Sequence, residues 1–333
     1  EALCRADHRE CRRHARRGLR PDRRMARNAF FLGKGGTGKT TLSAALAVSL
    51  VRSGRRVLAV SLDPAHNLGD LLGVPLGEEP VRVEERLDAL EIDLGAWVER
   101  HLAASREELK ATYAYASALN VDSLFDLLRF SPGTEEHAVL LAIDHVDRVL
   151  APSYDVVVWD TPPTALTLRF LAMPTVSSRW VAELRGLREK ILGRRQAISR
   201  VNPESAAAAG AVAPADDPVH ARLGAMRERL GKLQDLFARR SLLSVVVNPD
   251  LLSVAEAERI SEALARLDIP LSAVCLNSRD GAGSSASLAP PLAGLPLVTT
   301  GHLADALRSR DDLLRLDLAP LAEQLLHRPE AAR

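Results

Sequence analysis

Asn28-Ala29-Phe30-Phe31-Leu32-Gly33-Lys34-Gly35-Gly36-Thr37-Gly38-Lys39-Thr40-Thr41 is the stretch that decides the fold. A short apolar run breaks into glycines and then into a helical pattern that continues to Arg52. Gly33, Gly38, Lys39 and Thr40 have the spacing of a P-loop, and a strand before it with a helix after it is the context that spacing requires. Without Cβ atoms, the glycines let consecutive N–H groups from Gly33 to Thr41 turn inward on a phosphate at the positive end of a helix dipole. Lys39 adds a mobile charge for the outer phosphates, and the Thr40 hydroxyl suits Mg²⁺. The competing reading is a glycine-rich turn that binds nothing; the flanking strand and helix weigh against it.

Working outward, the chain of 333 residues is 47% hydrophobic, enough for a large core, and one domain is the default expectation. Its longest apolar runs, Leu42 to Val51 and Val156 to Trp159, fall short of the roughly 18 residues a membrane span needs. No hydrophobic signal region stands near the N-terminus, and Cys4, Cys11 and Cys275 make no disulfide framework, so a cytoplasmic protein is expected. The net charge of +1 hides an asymmetry: residues 1–24 carry nine Arg against four Asp or Glu. That segment lacks apolar periodicity and interleaved aromatics, and Met25 stands just before the first strand. It reads as a disordered basic extension without a role, the alternative being a binding arm for nucleic acid or anionic lipid.

After the first helix, Arg56 to Leu62 reads as a buried strand that ends on Asp63, a placement that points the carboxylate into the crevice where open α/β sheets bind ligands. Leu87 to Leu94 resembles a third strand and Ala96 to Lys110 a helix; Ser117 to Leu150 is helical, with Leu124, Leu127 and Leu128 on one side and a break at Pro132-Gly133. Tyr154 to Asp160 is the clearest central strand, and Asp160 at its end is the Walker B candidate. Trp180, Leu184, Leu187 and Ile191 recur at helical spacing, as ordinary core packing or as a client-binding surface. Pro203 to Pro218 reads as a flexible loop and Ala221 to Arg240 as helix. Strands at Leu242 to Val247, Leu271 to Leu276 and Leu295 to Thr299, a helix at Ala255 to Leu267, a Gly/Ser loop at Gly281 to Ser287 and helices from Leu303 to Leu326 complete the pattern. The expected fold is α/β: a mostly parallel P-loop sheet with helices on both faces, forming a single domain over 25–333 with helix-rich insertions at about 96–150 and 176–240.

Four of these segments, in order, make the chain resemble the arsenical-pump ATPase family, which also contains the ATPase that delivers tail-anchored membrane proteins. Gly33 to Thr41 is similar to that family's P-loop, whose additional lysine, here Lys34, marks dimerising P-loop ATPases. Ser61-Leu62-Asp63-Pro64-Ala65-His66-Asn67-Leu68 resembles its first switch, and Asp160-Thr161-Pro162-Pro163-Thr164 with Thr167-Leu168-Arg169 its second. Leu90-Glu91-Ile92-Asp93 and Pro132-Gly133-Thr134-Glu135-Glu136 fall where the family has related sequences. The likeness runs from about Met25 to the C-terminus. The chain departs at Ala165-Leu166, where the family commonly has Gly-His, and it lacks both metalloid-binding cysteines and the Cys-x-x-Cys that carries a zinc bridge between subunits.

The resemblance implies ATP hydrolysis with Mg²⁺ in a homodimer, carried by positioning and charge rather than covalent chemistry. Lys39 and the loop amides would hold the phosphates, Thr40 would bind the metal directly and Asp160 through water. Asp63 would act on the attacking water, its alternative being a helix cap. Lys34 would reach the partner's nucleotide. Asn277 would read the adenine edge, its alternative being a strand terminator, with Ser278 where glutamine is usual. His66 is given no catalytic role, and Cys275 reads as core. The leading function is a nucleotide-dependent dimer switch that binds and releases a protein, membrane-protein or apolar client. Only Met25, Met173 and Met226 are present, so the Met-rich surface of a promiscuous binder is missing. The motor subunit of an arsenite or anion pump is an alternative weakened by the missing cysteines. A partition-type ATPase acting on DNA or membrane surfaces is disfavoured by the switch sequences, so no nucleic acid partner is expected. An iron–sulfur reductase is excluded because no cysteine pair could hold a bridging cluster.

Overall fold

The computed structural model of the chain describes residues 25–65, 67–112, 121–201, 213–277, 292–300 and 310–327. The extension 1–24, His66, Ser278 and the Gly281 to Ser287 loop lie outside these residues, as do most of the loop read from Pro203 and the start of the helix read from Leu303. The remainder separates into two compact units, one running to Phe170 and resuming at Arg239, the other Leu171–Ala238.

The first unit is built on an eight-stranded sheet. Its strands are β1 (Arg27–Leu32), β2 (Val57–Ser61), β3 (Val81–Glu84), β4 (Leu87–Glu91), β5 (Val156–Asp160), β6 (Ser241–Val247), β7 (Ala273–Asn277) and β8 (Leu297–Thr300). The spatial order is β3-β4-β2-β5-β1-β6-β7-β8. Every pairing is parallel except β3 with β4. Strands β1, β2, β5 and β6 are buried along nearly their whole length, which explains why they read as continuous apolar runs rather than alternating ones. β3 was not foreseen from the sequence; it is a four-residue antiparallel edge strand with a register irregularity.

Helix α1 (Lys39–Arg52) crosses behind the sheet, and α9 (Ala319–His327) lies beside it. On that face Ala29 and Phe31 of β1, Val156 and Val158 of β5, and Val57 and Ala59 of β2 share a core with Leu42, Leu46 and Leu50 of α1 and Leu321 and Leu325 of α9. Alternation then sends Phe30 and Trp159 to the other face, where their rings stack 5.2 Å apart. The Trp159 indole N–H donates to the Asn28 side chain at 2.9 Å, so this buried asparagine is satisfied. Short α2 (Leu68–Leu72) follows the first switch. Between β4 and β5 come α3 (Leu94–Thr112), α4 (Val121–Leu128) and α5 (Thr134–His145), with a π-helical turn over Val146–Leu150. Leu127, read as sharing one side of the helix with Leu124 and Leu128, is exposed. After β5 runs α6 (Thr164–Val201), which continues past Phe170 into the second unit; that unit also contains α7 (Pro218–Ala238). Helix α8 (Leu251–Ala265) packs against β6, its start capped by Asp250, which accepts from the Ser253 N–H at 2.9 Å.

Candidate active site

The sheet order decides which residues can meet. β5 lies between β2 and β1, with Asp160 in register with Ser61 on one side and with Phe31 on the other. The carboxyl ends of three neighbouring strands therefore bring Asp63, Asp160 and the P-loop into one crevice. Backbone bonds hold them there: Leu62 N–H donates to Asp160 O at 2.9 Å, and Ile92 N–H to Ser61 O at 2.9 Å.

Two glycines shape the loop. Gly33 has φ +147°, and a Cβ there would stand 2.6 Å from the Val246 carbonyl oxygen of β6. Gly38 has φ +95° and precedes α1 without a side-chain cap, so the first-turn N–H groups of that helix take no side-chain cap bond from it. Inside the loop the Thr37 hydroxyl and N–H both donate to Lys34 O, at 2.9 and 3.3 Å. Thr37 and Lys39 are buried, Thr40 and Thr41 are half-buried, and Lys34, Gly35 and Gly36 are exposed. The Lys39 ammonium turns back to Lys34 O at 3.4 Å. Burial lowers its pKa, and the charges of Asp160 and Asp63 oppose that shift.

Asp160 is the most perturbed carboxylate of the crevice. Burial pushes it up to about 7, the Thr40 hydroxyl pulls it back, the Asp63 charge adds to the rise, and Lys39 and the Ser61 hydroxyl pull it down. Ser61 Oγ donates to Asp160 Oδ2 at 3.2 Å, whereas the buried Oδ1 has no hydrogen-bond partner among the described residues. Asp63 is half-buried; its N–H donates to Ser61 Oγ at 3.3 Å, and its Oδ1 accepts from the Ala65 N–H at 3.0 Å. One Asp63 oxygen thus closes a turn ahead of α2, which begins at Leu68 with Asn67 at its N-cap, while the other remains for a ligand or water.

A hard cation fits this donor set. It would satisfy the orphaned Asp160 oxygen, and Mg²⁺ needs only one or two protein oxygens because phosphates and water complete its shell. Among the described residues no group of three His, Cys, Asp or Glu could hold a metal by itself.

Asn277 also reaches the P-loop. Its amide donates to Thr37 O at 2.7 Å, and its Oδ1 accepts from the Thr300 hydroxyl at 3.2 Å, so here it braces the loop from β7. Its second amide N–H and second Oδ1 lone pair are what it could offer an adenine edge. The second switch carries a contact the sequence did not disclose: exposed Arg169 pairs with buried Glu136 of α5 at 2.8 Å. Nearby, Thr167 Oγ1 donates to Pro162 O at 2.8 Å. Glu91 of β4 accepts from the Gly69 N–H at 3.0 Å, tying the start of α2 to the sheet.

Comparison with known proteins agrees with this geometry. The family model for the anion-transporting ATPase matches residues 26–279. A putative arsenical pump-driving ATPase 1 of Aquifex aeolicus is 30% identical over 256 residues, covering 74% of this chain and 62% of that protein. The chain therefore spans less than two thirds of that relative. The ATPase GET3 of Ajellomyces dermatitidis is 31% identical over 267 residues, covering 77% of this chain and 74% of its own length. The ATPase get3 of Pyrenophora tritici-repentis is 31% identical over 263 residues with the same coverages. With the P-loop, both switch aspartates and the sheet order all in place, the chain belongs to the anion-transporting ATPase family.

Proposed function

We propose that the protein binds and hydrolyses ATP in the cytoplasm and uses the cycle to switch a homodimer between forms that bind and release a protein or apolar client. The observation that carries this reading is the convergence of the P-loop, Asp63 and Asp160 at the ends of β1, β2 and β5. In it, the amides from Gly33 to Thr41 and the Lys39 ammonium bind the phosphates. The free Asp63 oxygen orients the attacking water or takes its proton. Thr40 would hold Mg²⁺ directly and Asp160 through water, and the ion would neutralise charge on the phosphates. Asn277 holds the loop and reads adenine with its second amide N–H and its second Oδ1 lone pair. Lys34, exposed on the crest of the loop, is free to cross to a partner's nucleotide, where its long stem and compact charge suit a shifting phosphate charge.

The pump-motor reading has less support. Among the described residues the one free cysteine, Cys275, is buried and its thiol is pushed up to about 12 by burial, so it makes a poor soft ligand for a metalloid.

Mixing Lys34→Ala subunits with Asp63→Asn subunits tests the shared site. Neither homodimer has an intact site, whereas each mixed dimer has one, so random mixing restores about a quarter of the wild-type rate. No recovery on mixing, or a fully active monomer whose turnover survives Lys34→Ala, overturns the reading.

A further inference from the structure

We propose that α6 carries a lipid-docking ridge that seats the protein on an anionic membrane surface. The proposal concerns the second unit alone and does not depend on the client reading above. Val176, Trp180, Leu184, Leu187, Ile191 and Ile198 are between 36% and 68% exposed. At 3.6 residues per turn these six fall within an arc of about 80°, and Trp180 to Ile198 runs for about 27 Å.

The inward side of the same helix is a different stripe. Val181, Arg185, Arg188 and Leu192 face it, at least partly buried, each one residue beyond a member of the apolar line and so about 100° round the helix. The guanidinium of Arg188 donates to both carboxylate oxygens of buried Asp217, at the start of α7. Arg185 and Glu189 meet the His220 ring at 3.3 and 3.0 Å. Arg185 and Arg188 thus share the packed side with Val181 and Leu192, and Trp180, Leu184, Leu187 and Ile191 are left facing out.

Charge identifies the occupant. Leu171 to Ala238 carries 11 Lys and Arg against 7 Asp and Glu, while residues 25–170 and 239–333 carry 24 against 32. Within residues 25–333 the basic excess is therefore local to the unit with the ridge. Arg179, Lys190 and Arg194 are exposed along its edge, with Glu183 as the acid among them. A second copy would bring an equally basic unit against this one, which like-charge repulsion opposes. An apolar client helix would crowd the charge of Arg194, which lies between Ile191 and Ile198 along the axis and at the margin of the arc, in line with Val176. At a lipid interface that guanidinium reaches phosphates while its stem stays among the acyl chains. A tryptophan on the apolar line and basic residues along it are what an interfacial helix presents. Among the described residues no helix is long and apolar enough to cross a membrane, so the ridge lies on the surface.

The test is sedimentation of the full chain with phosphatidylcholine vesicles, with and without phosphatidylserine, over a range of salt. Binding is expected only with phosphatidylserine and should weaken as salt rises. Arg179→Gln, Lys190→Gln and Arg194→Gln together should weaken it about a hundredfold. Trp180→Ser, Leu184→Ser and Leu187→Ser together should abolish it, and vesicle-free ATPase turnover should be unchanged in both variants. Brominated lipid should quench wild-type tryptophan fluorescence, and Trp180→Phe should remove the quenching while binding persists. Failure to bind, equal binding to neutral vesicles, or binding unmoved in both triple variants overturns the proposal. So does capture of an apolar helical peptide that the serine variant loses when no vesicle binding is seen, which assigns the ridge to a protein client.

Discussion

Gly33→Ala and Gly35→Ala make the same chemical change two residues apart, and the structure gives them different outcomes. At Gly33 the backbone sits at φ +147°, where an L side chain is strained, and the new Cβ would lie 2.6 Å from Val246 O against 3.4 Å for an ordinary contact, a shortfall of about 0.8 Å. The obstruction is the backbone of a central strand and cannot rotate away. Strain of about 1–3 kcal/mol and a comparable overpacking cost are offset by about 0.4–1 kcal/mol from the stiffer unfolded chain. The net loss is about 2–4 kcal/mol, or about 3–6 °C in Tm for a chain of this size. At Gly35 nothing stands within 4 Å and no positive φ is present, so alanine there is neutral or slightly stabilising. Thermal melts without nucleotide, followed by circular dichroism, compare the two directly. A Gly33→Ala melt within a degree of Gly35→Ala would refute the close packing of the loop against β6.

Lys39→Ala should weaken binding of a fluorescent ATP analogue by about tenfold or more, because it removes a charge-assisted contact held over the crevice by burial. Unaltered affinity would mean that the ammonium does not reach the phosphates. In the second unit, hydrogen bonding from Arg188 holds the Asp217 carboxyl down at about 2, below its ordinary 3.8. A depressed carboxylate contributes stability that is fully present above its unfolded pKa and is lost as pH falls through the folded value. Wild type should therefore lose this contribution between about pH 4 and pH 2. Asp217→Asn should melt lower at pH 7, with the gap narrowing as acid is added; a gap that does not change with pH would assign the loss to packing.

How much of this was legible in the sequence follows from where the information lies. β1, β2 and β5 could be read because each is a short, wholly buried apolar run that ends at the loop or aspartate it presents, so strand and site residue announce each other. β3 could not, since Val81 to Glu84 is too short and too exposed for a period of two to stand out. The partners of Asn277 were hidden for another reason: Thr37 is 240 residues away, and only the sheet order brings the two together. Arg169 and Glu136 both stood in motifs noticed in the sequence, yet that they meet depends on how α5 lies against the second switch. The α6 stripe shows a limit of periodicity itself. Spacing reveals that Trp180, Leu184, Leu187 and Ile191 share a face but not which way the face points. Here the helix is oriented by what its arginines find: Asp217, buried at the start of α7, holds Arg188 inward, and that rotation leaves the apolar line outside. Breaking the Arg188 pair should therefore do more than loosen α7, because it removes one of the contacts that keep the apolar line turned outward.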